Sequence, residues 1–337
     1  MSKTDALLQR LGNAGFSETF VKASLPVGWI EEQDESSSSQ MLARLLLARR
    51  LNLDPITLMD DGVPLGFLHS GPVKFKHLRL GPGPRREALT GFAIGVARIL
   101  FSACSFSSQT GHAFSATEMR RSVLASGRDH IGFGDVLSLC WSLEIPVLHL
   151  QLFPAQTKGI TAMAIRIGHR HAILVARESG PPAQYMFHVA HELGHIALGH
   201  LADSAAIIDA DPNDPANDPN ELVDDEEEHA ADRFAQELLT GTSNFRVDRD
   251  IKAARGNANE LAKLAMISAR KLGIDPGHIV LSFANTTGEW ALAMAAIQLI
   301  PDQEKKPSHL VNEVLWSQIE STVDEQSWAF LRAVAPP

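Results

Sequence analysis

Apolar residues recur at helical spacing over most of the chain. Residues 40–51, after the capping run 36–39, and residues 86–106 have this pattern, which predicts helices at both places. The segment 246–337 repeats it several times and predicts a helical region, in which Gly273 ends one helix.

One central part of the chain has a different pattern. Residues 145–150, 160–167 and 172–177 are short and rich in β-branched residues, which predicts strands. The last two segments enclose the turn 168–171 and predict a hairpin. Strands and helices together predict an α+β fold, a small sheet with helices before and after it.

An apolar helix after the hairpin contains His191-Glu192-Leu193-Gly194-His195. Histidines four apart lie on one helix face, about 40° apart in projection, so both imidazoles can bind one Zn²⁺. Glu192 between them can reach water on the open side of the metal. This HExxH pattern is the signature of zinc-dependent peptidases.

A later helix offers a third ligand. Glu228 and Asp232 are four residues apart and therefore lie on one helix face. Glu228 also lies on the same inward-facing side of the helix as the apolar residues Ala231, Phe234, Ala235, Leu238 and Leu239. Glu227 and Glu226 point about 100° and 200° away from Glu228. We therefore predict Glu228 as the ligand and Asp232 as a residue that orients a ligand imidazole.

At these residues the chain resembles the ImmA/IrrE family of metallopeptidases. The resemblance covers about residues 130–245 and includes HELGH and the segment Glu228 to Ala235. The chain departs from the family pattern at Ala230, because many members have a second Glu at that position. It implies a zincin-like core and one Zn²⁺ per chain. It also implies a cytoplasmic bacterial hydrolase that cleaves a helix-turn-helix transcriptional repressor in a stress, mobile-element or defence response.

Several residues are candidates for stabilising the oxyanion of the reaction. They are Tyr185, His188 and the hairpin histidines His169 and His171, and the sequence does not choose among them. For His188 an ordinary supporting or core role is an equal alternative. His200 lies about 180° around the helix from His191 and is not expected to ligate. An edge strand beside the metal is expected to hold an extended peptide by β-augmentation.

The net charge of −10 has a local origin. Residues 201–228 hold eleven acids and no Lys or Arg, which leaves 29 acids against 30 bases elsewhere. Within an acidic insert at 206–227 we expect residues 206–220 to be mobile. A calcium loop from Asp209 is disfavoured because positions six and twelve are Asp214 and Asn220.

We divide the chain into a helical module (1–61), a Gly/Pro-rich basic connector (62–86), the peptidase domain (87–245) and a helical C-terminal region (246–337). The first module weakly resembles a helix-turn-helix, but acids outnumber bases there, which favours packing. The connector could contact nucleic acid or the acidic insert, although a solvated loop is favoured. The residues for nucleic acid are Lys74, Lys76, Arg79, Arg85 and Arg86.

Two cysteines, Cys104 and Cys140, are expected to be buried free thiols. No signal peptide or membrane-spanning run is evident, which favours the cytoplasm. The alternative to a peptidase is a non-catalytic regulator with structural zinc that binds DNA or protein. A further alternative is a toxin-like or antitoxin-like partner that acts by association alone. Glu192 discriminates against both, because a structural zinc site needs no general base.

Overall fold

The computed structural model shows the predicted α+β fold. The structure describes residues 3–29, 36–68, 71–76, 83–106, 114–154, 159–176, 180–210, 226–248, 251, 254, 256–301, 306–319 and 323–337. Within them, the helices are α1 Lys3–Asn13, α2 Glu18–Ala23, α3 Ser37–Leu51, α4 Pro55–Met59, α5 Pro84–Ala103, α6 Ala116–Ala125, α7 Phe133–Ser142, α8 Pro182–Ala197, α9 Glu226–Thr240, α10 Ala258–Leu272, α11 Pro276–Thr287, α12 Trp290–Ile297, α13 Pro307–Ile319 and α14 Glu325–Val334.

The strands form one mixed sheet in the order β1-β5-β3-β4-β2. Their bounds are β1 Val73–Lys76, β2 Val147–His149, β3 Ile160–Ile167, β4 Arg170–Val175 and β5 Ala206–Ala210. β3 pairs antiparallel with β4, as the predicted hairpin requires, and antiparallel with β5 on its other side. β1 and β2 add in parallel to β5 and β4.

The two faces of the sheet bury different helices. On β5, Ala206 and Ile208 belong to a hydrophobic cluster with α1 to α5, α13 and α14, while Ile207 belongs to a second cluster with α6 to α9. This alternation follows from the two-residue period of a strand. Asp209 therefore lies on the same face as Ile207, towards α8.

A close helix crossing joins the N-terminal helices to the sheet. A Cβ on Gly95 of α5 would lie 2.1 Å from the carbonyl oxygen of Arg50 in α3, and one on Gly91 would lie 2.6 Å from that of Leu51. Glycine is required at both positions because any side chain would overlap the facing backbone. Residues of the expected N-terminal module and of the peptidase domain thus share one cluster, and the four-part division of the chain stays a prediction.

The C-terminal helices α10 to α12 form a third cluster that packs on α8. Asn257 caps the start of α10, and Gly273, in the left-handed conformation at φ 64°, ends it as predicted. The His278 ring of α11 stacks on Phe187 of α8 at a centroid distance of 6.1 Å. This helical region therefore supports the back of the metal-site helix.

Two segments differ from expectation. The prediction that residues 206–220 are mobile is wrong for Ala206–Ala210, which form the fully buried strand β5, while residues 211–225 lie outside the described residues. Four residues of the expected connector form β1. Acids and glycines dominate the composition of these segments, so the sequence did not indicate the two short strands. Pairing with neighbouring strands of the sheet stabilises both.

The described N-terminal helices α3 and α4 expose mainly apolar side chains, and the expected nucleic-acid contact stays a prediction. α4 is only five residues long, which is short for a recognition helix. Most of the exposed large side chains of α3 and α4 are apolar, including Ile56 at 78% and Met41 at 57% exposure, and Arg49 is a basic exception at 45%. Arg44 is buried and pairs with Asp61.

Both cysteines are buried and free, and burial raises the pKa of each thiol to about 12. No helix in the described ranges is both long and apolar enough to cross a membrane.

Candidate metal centre

Helix α8 brings its two motif histidines together on one face. Pro182 occupies the start of the helix, where its missing N–H costs nothing. One turn separates His191 from His195, and their Nε2 atoms are 3.0 Å apart. His195 is fully buried and His191 is 12% exposed, so the pair faces the protein interior.

Helix α9 packs closely against α8 and contributes a carboxylate from its first turn. A Cβ on Gly194 would lie 3.1 Å from the carbonyl oxygen of Ala231, so the glycine of the motif allows the close approach. Glu228 Oε2 is 3.3 Å from His191 Nε2, and Glu228 Oε1 is 3.4 Å from His195 Nε2. The structure thus brings together the three residues predicted as ligands.

A fourth donor comes from β5 and was not predicted. Asp209 Oδ2 is 3.3 Å from His191 Nε2 and 3.8 Å from His195 Nε2. One atom from each of these four residues, hereafter the four donors, lies within 4.8 Å of every other. The sequence showed only a short apolar run before Asp209, and neither this run nor the surrounding acids indicated that this residue reaches the histidines.

The spacing of the donors fits a small cation. Ligands about 2.0–2.1 Å from a tetrahedral Zn²⁺ are separated from one another by about 3.3–3.4 Å. The distances from the two histidine Nε2 atoms to each other and to the carboxylate oxygens run from 3.0 to 3.8 Å. Two imidazoles with carboxylates form a donor set that suits zinc, and the residues therefore fit a metal.

The electrostatics of the cluster also favour a cation. Burial, and next the charge of Asp209, raises the pKa of Glu192 well above its usual range. Burial lowers the pKa of His191, but the carboxylates of Asp209, Asp232 and Glu228 more than offset it and raise this pKa well above normal. Burial opposes ionisation of Glu228, yet the nearby His191 and His195 hold its pKa far below normal. A buried excess of carboxylates is what a divalent ion would neutralise.

Each ligand-candidate imidazole has an outer partner. Asp232 Oδ1 lies 2.8 Å from His191 Nδ1, the contact expected for a residue that orients a ligand imidazole. His200 Nδ1 lies 2.8 Å from His195 Nδ1. Both contacts leave the two Nε2 atoms turned towards the carboxylates.

The position of His200 follows from how α8 ends. Gly199 adopts the left-handed conformation at φ 75°, and the His200 N–H bonds back to the His195 carbonyl. The Gly199 N–H bonds to the Ile196 carbonyl, which completes a Schellman motif. The chain therefore folds His200 back onto His195, and helical projection past Ala197 could not predict this contact.

The other predicted candidates have different surroundings. Tyr185 is 1% exposed and lies in the core between Phe133 and His149, with centroid distances of 6.4 and 5.7 Å. The His188 ring lies beside that of Phe187 at a centroid distance of 6.2 Å.

The hairpin turn is remote from the donors. Asp209 pairs with Ala162, and the turn begins six residues further along β3, about 20 Å away. His169 is in that turn, and His171 opposes Arg166 near it, with a pKa lowered to about 4 by burial. These positions do not support an oxyanion role for either residue.

Two lysines of β1 flank the metal site. Lys74 Nζ is 2.6 Å from Glu227 Oε1, and Lys76 Nζ is 3.6 Å from Glu228 Oε1. Among the other residues expected to contact nucleic acid, Arg86 lies over the Phe75 ring at 3.5 Å, Arg85 is exposed, and Arg79 lies outside the described residues. The nucleic-acid contact stays a prediction.

The sheet, the HExxH helix and the helix that carries Glu228 form a zincin-like α+β fold. Residues 143–253 match the family model of the IrrE N-terminal-like domain, Peptidase M78. The segment that carries the four donors is therefore a domain of this peptidase family, which confirms the resemblance seen in the sequence. No curated protein and no solved structure was found to match the chain.

Proposed function

We propose that this protein is a zinc-dependent endopeptidase that hydrolyses a peptide bond in a specific partner protein. The observation that supports this most is the meeting of His191, His195 and Glu228 within 3.4 Å of one another, with Glu192 buried beside them. The family match makes metallopeptidase chemistry the expected use of such a cluster.

In this proposal His191, His195 and Glu228 hold the metal, with Asp232 and His200 as outer partners of the imidazoles. When bound, zinc lowers the pKa of a water molecule towards about 7 and polarises the peptide carbonyl. Glu192 accepts the proton of the attacking water and passes it to the leaving amine nitrogen. The burial of Glu192, at 1% exposure, keeps bulk water away from that proton transfer.

The proposed substrate is a helix-turn-helix repressor in the cytoplasm of a bacterium. This part of the proposal rests on the resemblance to ImmA/IrrE peptidases, which act on one partner rather than on bulk peptide. The exposed apolar residues of α3 and α4 offer one surface for a protein partner.

A second candidate function has one observation in its favour. Asp209 supplies a fourth protein donor, and zinc sites closed by four protein ligands are typically structural. A non-catalytic regulator would have such a site. Against it stands Glu192, whose Oε2 is buried without a hydrogen-bond partner among the described residues. A structural site does not need this carboxylate.

The test combines metal analysis with cleavage. Elemental analysis of the full chain should find about one zinc per chain. Co-expression with a repressor encoded beside it, followed by mass measurement of the fragments, should show one cleavage. Glu192→Gln should keep zinc and fold but cleave at least ~100-fold more slowly, because a positioned general base contributes on that order.

Asp203→Asn serves as the control, since Asp203 is exposed on the turn before β5. It should cleave like the unaltered chain. Absence of zinc after purification and after titration would refute the metal centre. Zinc with undiminished cleavage by Glu192→Gln would remove Glu192 from the mechanism.

A further inference from the structure

We propose that Asp209 is a fourth protein ligand of the metal and that it closes the resting site, so that it must leave before a peptide is cleaved. This inference rests on the proposed peptidase function and adds a resting state to it.

The first support is the environment of the Asp209 side chain. It is 6% exposed, and neither carboxylate oxygen receives a well-directed hydrogen bond from the described residues. Burying an ionised carboxylate without compensation costs several kcal/mol. Such a group is retained where a cation compensates it, and Asp209 Oδ2 lies beside the Nε2 atoms of His191 and His195, where a metal ion would be held.

The second support is the distance from Asp209 to the histidines. Its Oδ2 is as close to His191 Nε2 as Glu228 Oε2 is, at 3.3 Å in both cases. A tetrahedral ion bound by both histidines, Glu228 and Asp209 has no position left for water. The same four residues would therefore hold zinc tightly and prevent catalysis.

The strand holds Asp209 in this position from both sides. Asp209 pairs with Ala162 of β3 and with Lys76 of β1, and its own carbonyl accepts a hydrogen bond from Thr161 Oγ1 at 3.2 Å. The carboxylate is therefore presented by ordered sheet rather than by a loop. Opening requires rotation of the side chain or displacement of β5.

The experiment uses the full chain and two measurements other than turnover. Zinc affinity is measured by competition with a chelator. The Co²⁺-loaded protein is titrated with acetohydroxamate, a small chelating anion that needs an open position, and its visible absorption reports binding. Asp209→Ala removes the carboxylate, Asp209→Asn keeps its shape if the alanine variant folds poorly, and Asp203→Ala is the exposed control.

We expect Asp209→Ala to bind zinc at least ~10–100-fold more weakly, since removing even an outer partner of a ligand costs that much. We also expect it to bind acetohydroxamate at least ~10-fold more tightly than the unaltered protein. Unchanged zinc affinity, or equal hydroxamate binding by both proteins, would overturn the proposal. Zinc lost in Glu228→Gln but kept in Asp209→Ala would leave the peptidase site intact and remove only the resting state.

Discussion

Glu227 and Glu228 are consecutive acids that the structure assigns to different partners, and the pair provides a sharp test of the metal site. Glu228 contacts both histidine Nε2 atoms and is 12% exposed in its side chain. Glu227 is 35% exposed and forms an ion pair with Lys74 at 2.6 Å. Replacing each by Gln preserves size and removes one charge, so any difference reports the role of that carboxylate.

The expected magnitudes differ widely. Zinc bound by four protein ligands contributes about 10–16 kcal/mol, or about 2.5–4 kcal/mol per ligand. At about 1.4 kcal/mol per tenfold change, Glu228→Gln should weaken zinc binding about 10²–10³-fold. Glu227→Gln loses a partly exposed ion pair, which contributes about 0.2–1 kcal/mol to stability, and should bind zinc as before.

Chelator competition gives the two zinc affinities directly. Thermal unfolding with and without zinc gives an independent value, because a ligand that binds only the folded state raises its stability. Glu226→Gln is the control, since Glu226 is exposed at the start of α9. Weaker zinc binding by Glu227→Gln than by Glu228→Gln, or a loss below ~threefold for Glu228→Gln, would refute the assignment.

Two further predictions concern the packing around the site. Gly95→Ala should lower the free energy of unfolding by at least ~1–3 kcal/mol in a denaturant titration, because its Cβ would overlap the Arg50 carbonyl. Gly134→Ala is the control, since its Cβ meets nothing within 4 Å, and equal stabilities of the two variants would contradict the close helix crossing. Burial lowers the pKa of His278 to about 4. The folded state therefore resists protonation of this ring, and its contribution to stability is complete above pH 6.5 and is lost as the pH falls towards 4, by up to ~3 kcal/mol. His278→Phe should therefore lose less stability between pH 7 and 4.5 than the unaltered chain, and identical urea midpoint shifts would contradict this.

The parts of the site that depend on local periodicity could be predicted from the sequence. His191 and His195 share a face because a helix repeats every 3.6 residues, and the apolar stripe of α9 identified Glu228 among five consecutive acids. The hairpin of β3 and β4 was predictable for the same reason, since its strands are adjacent in the chain. Each of these inferences needed only residues that are close together in the chain.

Asp209 and His200 could not be found by such reasoning. Asp209 reaches the donors because β5 pairs with β3, more than forty residues earlier, and strand pairing at that distance has no local signature. The acidic composition of residues 201–228 gave no sign that Asp209 is buried in the sheet. Nor did it show that Glu227 pairs with Lys74. Composition describes a segment, whereas burial is decided residue by residue.

The position of β5 also bears on how a peptide could reach the metal. Two strands near the donors are relevant to an extended substrate that pairs with a sheet edge. β1 is an edge of the described sheet, and its Lys76 is 3.6 Å from Glu228, whereas the edge of β3 is covered by β5. Displacing β5 would free the edge of β3 and withdraw Asp209 from the histidines in one movement. That movement breaks two strand ladders, so it needs binding energy that a short peptide cannot supply. A large partner surface can supply it, so the proposed closed site is consistent with the proposal that one bound partner is the substrate.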